Sequence, residues 1–210
     1  MASREIRIAL RQADADDATH LLDVFRDGIQ SLKESNGGKH PDAEIESWKK
    51  KPDKDLLSHI CDGSFVLVAQ DGRGAVVGMG AITIDIVAGL TGSSYSHAFF
   101  VRRSHQGQGV GRLLRDGCIA EARRRGYRKM YGYTYPESIG FHKRFGAVFY
   151  PEFDTGEGKR GDMVHYYEIP LRPSIFNGMM IEPYMQPAAW VWVSVKRWMD
   201  RALAALIKRG

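Results

Sequence analysis

The sequence predicts an α/β fold, in which about four helices flank a mixed central sheet of about seven strands and a further amphipathic helix follows. Two observations carry this prediction. Short apolar segments typical of strands are interspersed with longer segments in which apolar residues recur every three or four positions, as in helices. The length of 210 residues exceeds one average domain and falls short of two. We therefore expect one domain over residues 1–175 and a C-terminal extension over residues 176–210.

The first third of the chain predicts a strand followed by two helices. Ile6–Leu10 alternates apolar and polar residues at its start, which indicates a strand. Asp14 fits an N-cap, and the apolar residues from Ala18 to Leu32 recur at the steps of an amphipathic helix. A second helix is predicted over residues 42–60, with a kink or break at Lys51-Pro52 because proline removes a helical hydrogen bond.

The remainder of the domain predicts a series of strands with two helices between them. The strands are expected over residues 65–69, 76–86, 95–101, 129–133, 147–150 and 163–171. Asp71-Gly72-Arg73-Gly74 predicts a hairpin turn between the first two of these strands. One helix begins at residue 110 and a shorter one covers about residues 137–145. The longer helix is expected to bury one apolar face, formed by Val110, Leu113, Leu114, Cys118, Ile119 and Ala122.

The distribution of charge argues against a nucleic-acid partner. The chain has 30 Lys and Arg against 25 Asp and Glu, but residues 187–210 alone hold five basic residues and one acidic residue. The predicted domain is therefore nearly neutral and carries no nucleic-acid recognition motif. Cys61 and Cys118 have neither disulfide-framework nor metal-ligand spacing, so we expect no metal and a reducing environment. The charged start of the sequence, without an apolar segment, leads us to expect a cytoplasmic protein.

A glycine-rich segment between a predicted strand and a predicted helix indicates an anion site. Gly107, Gly109 and Gly111 let the backbone approach a phosphate closely, and the helix N-terminus offers unpaired N–H groups. Positive charge at the same place comes from Arg102, Arg103 and Arg112. A diphosphate is the expected occupant. The dinucleotide fingerprint G-x-G-x-x-G fails because Arg112 takes its third glycine position, and no Gly-Lys-Ser/Thr of a P-loop follows.

The pattern Gln106-x-x-Gly109-x-Gly111 resembles the acyl-CoA signature Arg/Gln-x-x-Gly-x-Gly/Ala of the GCN5-related N-acetyltransferases (GNAT). It lies after the fourth predicted strand and opens the third predicted helix, where that family has it. The segment from Ser138 to Ala147 resembles the family's second block, a short helix that ends in glycine before a strand. Its run up to His142 is similar to the phosphinothricin and amino-acid N-acetyltransferase branch, although Ser96 stands where that branch carries a Glu.

The resemblance covers roughly residues 4–171 and implies a GNAT fold and direct transfer of an acetyl group from acetyl-CoA. The implied acceptor is the primary amine of a small molecule or amino acid. A protein lysine or N-terminus as acceptor, and a non-catalytic acyl-CoA-binding module, are the alternatives. The residues implied to bind CoA are Phe99, Phe100, Val101, Gln106, Gly107, Gln108, Gly109, Val110, Gly111, Arg112, Ser138 and His142.

The resemblance also suggests which side chains handle protons. His142 stands where many members of the family have Tyr, and we expect it to be the proton donor to the leaving thiolate, with a pKa near its unperturbed value of about 6.5. Contact with CoA, or packing beneath the helix, is its alternative role. Tyr135 is the second candidate donor, and His97 and Glu137 are the candidate bases, acting directly or through water.

The C-terminal extension predicts an amphipathic helix over residues 188–207, with tryptophan and aliphatic residues on one face and basic residues largely elsewhere. Such a helix can pack on the domain, on a second copy of the chain in a homodimer, or on an anionic membrane surface. We favour packing over membrane contact.

Overall fold

The structure is a computed structural model that describes residues 7–35, 42–85, 88, 92–134, 138–149, 153–154 and 163–172. The chain divides into two units, residues 1–172 and 173–210, and only the first contains described residues. The predicted helix over 188–207 lies outside them. The boundary at residue 175 stays a prediction.

A mixed sheet forms the centre of the described unit and confirms the predicted α/β fold. Its strands are β1 Ala9–Gln12, β2 Ser64–Gln70, β3 Val76–Thr83, β4 Ser93–Val101, β5 Lys129–Thr134, β6 Val148–Phe149, β7 Phe153–Asp154 and β8 Met163–Pro170. Seven strands follow the order β1-β2-β3-β4-β5-β8-β6, and β7 pairs with β8 outside this path. Every pair is antiparallel except β4 with β5, which is parallel. The helices are α1 Ala18–Ser35, α2 Asp42–Lys50, α3 Asp53–Cys61, α4 Val110–Arg124 and α5 Ile139–Lys143.

The structure corrects the start of one predicted strand, confirms one predicted helix break and adds one short strand. The first strand begins at Ala9 rather than Ile6, because its extent is set by pairing with β2 rather than by its own alternation. The break predicted at Lys51-Pro52 is confirmed and separates α2 from α3, since Pro52 precedes α3 with an extended backbone and ends the α2 hydrogen-bond pattern. The short β7 was not predicted, because two residues carry no detectable periodicity.

The helices pack on the two faces of the sheet. On one face α1 and α3 bury Leu21, Phe25, Leu56 and Ile60 against the inward residues of β2, β3 and β4. On the other face α4 packs against β2, β3 and β5, with Leu114 fully buried. Both faces of the central strands are therefore covered, which explains the nearly continuous apolar sequences of β2 and β3.

The predicted apolar face of α4 is wrong at two positions. Leu113 is 41% exposed, whereas Arg115, which was not expected in the core, is fully buried. Val110, Leu114 and Cys118 form the centre of the buried stripe of α4. Whether a residue at either edge of this stripe is buried depends on whether it faces another element or solvent. The flank with Arg115 faces β4 and β8, and the flank with Leu113 faces solvent.

The parallel strands β4 and β5 pair over three residues only. Ser93, Ser94 and Tyr95 lie opposite Lys129, Met130 and Tyr131. Immediately after this point β4 contains a bulge, since Ala81 faces Ala98 while Ile82 faces Ser96, which leaves His97 as the extra residue. A bulge bends its strand and increases the local twist. Among the described residues no strand pairs with the remaining edge of β4, so a gap opens between β4 and β5.

Gly132 lies where this gap begins and cannot carry a side chain. A Cβ at Gly132 would lie 2.7 Å from the Tyr167 hydroxyl and 2.8 Å from the Ser96 carbonyl oxygen. We predict that Gly132→Ala lowers the free energy of unfolding by about 1–3 kcal/mol, because the added methyl overpacks the site. Gly140→Ala is the control, since a Cβ there meets nothing within 4 Å and alanine favours the α5 helix. Urea denaturation measures both, and equal stabilities of the two variants would contradict the close approach.

Candidate active site

The glycine-rich segment forms an open loop in front of α4. Gly107 and Gly109 have φ values of 75° and 84°, which glycine adopts without strain, and a Cβ on either would meet nothing within 4 Å. Gly109 is the N-cap of α4. Among the described residues, none accepts a hydrogen bond from the backbone N–H groups of residues 107–112. These groups and the positive end of the helix dipole form a cradle that fits a diphosphate.

Two glutamines of the loop brace it rather than point into the cradle. The Gln106 amide donates to the Val101 carbonyl at the end of β4, at 3.0 Å, and also hydrogen-bonds with Ser31 on α1. The Gln108 amide donates to the Ser104 carbonyl at 2.9 Å. Gln106 therefore fixes the loop between β4 and α1, Gln108 ties the loop to its own first residues, and the backbone is what remains for an anion.

The positive charge near the loop is smaller than the sequence suggests. Arg102 donates to the Val76 carbonyl and lies 3.6 Å from Asp23 on α1, so its charge is directed away from the cradle. Arg112 is exposed on the first turn of α4, with Asp116 3.8 Å away. Arg112 and the helix dipole therefore contribute positive charge at this end of α4.

The end of β4 carries the other residues predicted to bind CoA. Phe99 faces α4, and Phe100 faces α1, where its ring contacts Phe25 edge-on with centroids 4.8 Å apart. The side chain of Phe100 is therefore a core residue, and only its backbone lies along the gap. Ser138 precedes α5 and makes no side-chain capping bond.

Arg115 fills the base of the gap with a buried guanidinium. Its Nη1 donates to Ser96 Oγ at 2.7 Å, and its Nη2 donates to His142 Nδ1 at 2.9 Å and to the Tyr167 hydroxyl at 3.3 Å. The guanidinium also lies over the Phe99 ring, 3.8 Å from its centroid. The structure thus joins β4, α4, α5 and β8 through one side chain.

His142 lies in this cluster, with its ring stacked on that of Tyr167 at 4.2 Å and only 6% exposed. Burial, together with the charge of Arg115, lowers the pKa of His142 to about 3. The expected pKa near 6.5 is therefore wrong, because the sequence showed neither the burial nor the neighbouring cation. At neutral pH the imidazole is uncharged and cannot deliver a proton as an imidazolium.

His97, the candidate base, lies on the opposite face of β4. Its Nε2 is 3.3 Å from both the Ile60 carbonyl and Ser64 Oγ, and its buried Nδ1 has no hydrogen-bond partner among the described residues. Burial lowers the pKa of His97, so the ring is neutral at neutral pH. The structure therefore separates His97 from His142. Tyr135 and Glu137 lie outside the described residues.

Aromatic side chains line the sheet face on which His97 lies. Tyr95 stacks on His97 and on Tyr131, with ring centroids 5.6 Å and 5.4 Å away. Tyr133 and Tyr166 continue this cluster across β5 and β8. The gap between β4 and β5 therefore has an aromatic side, with His97, and a side with the Arg115 cluster.

Arg115 and Tyr167 were not predicted as members of the site, and Ser96 was named only as the position where the related branch carries a Glu. The spacing of Val110, Leu114 and Cys118 places position 115 beside the buried stripe, which was the one available signal for Arg115. Nothing in the sequence indicated that its partners would come from three other elements.

Two further searches of the described residues gave no sites. They contain no group of three or more His, Cys, Asp or Glu that could hold a metal ion. No helix within them has the length and apolar character needed to cross a membrane.

Comparisons with known proteins identify related sequences and folds. Residues 29–147, more than half of the chain, match the model described as the acetyltransferase (GNAT) family. A GCN5-related N-acetyltransferase from Rhodopseudomonas palustris has a similar structure, with a TM-score of 0.64 and 17% identity over 77% of this chain and 94% of that chain. No curated protein matches the sequence.

Two similar structures hold CoA or its acetyl form. The PaiA N-acetyltransferase from Thermoplasma acidophilum, in complex with coenzyme A, has a TM-score of 0.57 and 17% identity over 78% of this chain and 99% of that chain. A putative acetyltransferase from Salmonella typhimurium with acetyl-CoA has a TM-score of 0.57 and 22% identity over 80% of this chain and 96% of that chain. At these identities the likeness establishes the fold.

The lowered pKa of His142 predicts sensitivity to acid. Between about pH 6.5 and pH 3 the unfolded chain protonates this imidazole and the folded chain does not, so stability falls as the pH falls. One such group changes the free energy of unfolding by up to about 1.4 kcal/mol per pH unit. We expect His142→Gln to reduce this slope in urea denaturation at a series of pH values, and removal of the exposed His20 to change it less. An unchanged slope in His142→Gln would contradict the assignment.

Proposed function

The chain belongs to the acetyltransferase (GNAT) family, and we propose that it transfers the acetyl group of acetyl-CoA to the primary amine of a small molecule or amino acid. The observation that carries this proposal is the open cradle of residues 107–112 beside the gap between β4 and β5. Cradle and gap are adjacent, because the loop connects the end of β4 to the start of α4. One extended ligand with a diphosphate and a thioester arm fits both.

In this proposal the diphosphate of acetyl-CoA accepts hydrogen bonds from the N–H groups of residues 107–112, and its pantetheine arm follows β4 along Phe99–Val101. The edge of β4 with which no described strand pairs offers backbone groups for that arm. The two similar structures that hold CoA or acetyl-CoA support this assignment. Acetyl-CoA is then a co-substrate that supplies the activated acetyl group.

The acceptor amine is proposed to approach from the aromatic side of the gap. A free alkyl amine has a pKa of about 10 and must lose a proton before it attacks the thioester. His97 lies on that side, burial lowers its pKa, and its buried Nδ1 has no hydrogen-bond partner among the described residues, so it is the candidate acceptor of this proton, acting directly or through water. Rings of Tyr95 and Tyr131 would contact the apolar part of a small amine.

The finer assignment to the phosphinothricin and amino-acid branch stays a proposal. That branch is expected to carry a Glu in the fourth strand, and Ser96 at this place instead accepts a hydrogen bond from Arg115. A serine in place of the carboxylate changes the electrostatics of the gap and favours a different substrate within the small amines. The same observation is what motivates the alternative of a non-catalytic acyl-CoA-binding module.

Thiol release from acetyl-CoA across a panel of acceptors tests the proposed function. The panel contains small amines, amino acids and peptides with a free lysine or N-terminus, and mass spectrometry identifies acetylated products. Turnover with a small amine supports the proposal. Turnover with peptides alone supports the protein acetyltransferase, and binding of acetyl-CoA without turnover supports the module.

The cradle predicts a specific loss of binding. Gly109→Glu places a carboxylate and its bulk where the diphosphate is proposed to lie, and we expect acetyl-CoA affinity to fall by about 100-fold or more in calorimetry. Gly74→Glu is the matched control, because Gly74 has a φ of 82° and open space around its Cβ in the β2–β3 turn. Both variants carry the same backbone strain of about 1–2 kcal/mol. Equal affinities of the two variants would contradict the cradle.

A further inference from the structure

Arg115 is a buried cation without a buried anion to match it. The side chain is fully buried, and no carboxylate of the described residues forms an ion pair with it. Its Nε is also buried and has no hydrogen-bond partner there. An uncompensated buried charge is strongly destabilising. Its presence at the base of the proposed site therefore indicates a functional role for Arg115.

The hydrogen bond from Arg115 determines where His142 carries its proton. A guanidinium has five N–H donors and no acceptor, so His142 Nδ1 must accept the bond from Arg115 Nη2 at 2.9 Å. The single proton of the neutral imidazole is then on Nε2. Among the described residues nothing hydrogen-bonds to Nε2. Arg115 therefore turns His142 into a group that donates through Nε2 and does not act as a base.

The family resemblance implies that His142 contacts the sulfur of CoA, and we propose that Arg115 is the residue that makes this contact a site for a thiolate. His142 would donate its Nε2–H to the sulfur, and Arg115 would act as a positioning residue that holds the tautomer and adds a positive charge behind it. This inference rests on the proposed function, because it requires the thioester of acetyl-CoA to lie in the gap between β4 and β5.

The acetyl-transfer step does not require His142 to deliver a proton. The amine nitrogen forms a bond to the carbonyl carbon of the thioester, the carbon–sulfur bond breaks, and the sulfur keeps the electron pair as a thiolate. The proton that the amine nitrogen loses passes to the base or to water. The thiolate accepts a hydrogen bond from His142 and takes its proton from solvent when it leaves.

The other groups around the pair do not supply the missing negative charge. Tyr167 on β8 donates to Ser96 Oγ at 3.2 Å and accepts from Arg115. Cys118 lies on the same helix as Arg115, and burial raises the pKa of its thiol to about 12, so it is uncharged. Ser96 on β4 and Phe99 do not titrate. The positive charge of Arg115 can therefore pair with a negatively charged atom of a ligand.

The affinity of CoA, compared with that of desulfo-CoA at a series of pH values, tests this inference without any acceptor amine. A thiol whose pKa falls on binding makes CoA bind more tightly as the pH rises, about tenfold for each unit by which the pKa falls. Desulfo-CoA has no thiol and reports the pH dependence of the remaining contacts. For the wild-type chain we expect the preference for CoA to rise by about tenfold from about pH 6 to about pH 8.

Two variants on different elements identify the source of that preference. We expect Arg115→Met and His142→Phe each to remove the pH-dependent preference, measured as the ratio of the CoA and desulfo-CoA affinities of the same variant, so that a general loss of affinity cancels. Arg123→Met is the control, because Arg123 is on α4 and, within the part of the chain that the structure describes, its side chain bonds to the Leu171 carbonyl, away from the gap. This control should keep the wild-type preference. A merely structural role of Arg115 would not change the ratio of the two affinities.

The outcomes separate this inference from the proposed function. If the ratio of the wild-type affinities for CoA and desulfo-CoA does not change with pH, the proposed thiolate site is wrong, and the proposed CoA cradle is unaffected. A preference that survives both Arg115→Met and His142→Phe would also overturn it. If neither ligand binds the wild-type chain, the proposed function fails, and this inference fails with it.

Discussion

The parting of β4 from β5 after three paired residues is the constraint on which the rest of the site depends. Up to Tyr95 and Tyr131 the two strands hold the sheet together, and beyond that point the bulge at His97 turns β4 away. The gap leaves one edge of β4 available to a ligand. It also divides the surroundings into an aromatic side, which carries His97, and a side with the Arg115 cluster.

One helix serves both ends of this gap. The first turn of α4 presents the N–H groups of the glycine loop, and its second turn sends Arg115 into the base of the gap. Val110, Leu114 and Cys118 fix the rotation of α4 on the sheet, so the loop and the guanidinium are held in a constant relation. The distance between the phosphate cradle and the proposed thiolate site is therefore fixed, which favours a ligand of matching length.

The order of most helices and strands along the chain, the hairpin turn and the glycine loop could be predicted from the sequence, because each depends on local spacing. Gly107 and Gly109 were identified correctly as positions with special backbone freedom. The pKa of His142 and the burial of Arg115 could not be predicted in the same way, because both result from contacts between residues 19 to 52 positions apart. A charged residue beside the apolar stripe of a helix is normally predicted to be solvent-exposed, because its buried partners cannot be identified from the sequence.

The most direct test of the central claim is a crystal structure of the chain with CoA. Our account predicts the diphosphate against the N–H groups of residues 107–112, the pantetheine arm along Phe99–Val101, and the sulfur within hydrogen-bonding distance of His142 Nε2. A diphosphate bound elsewhere, or a sulfur on the aromatic side next to His97, would contradict the account.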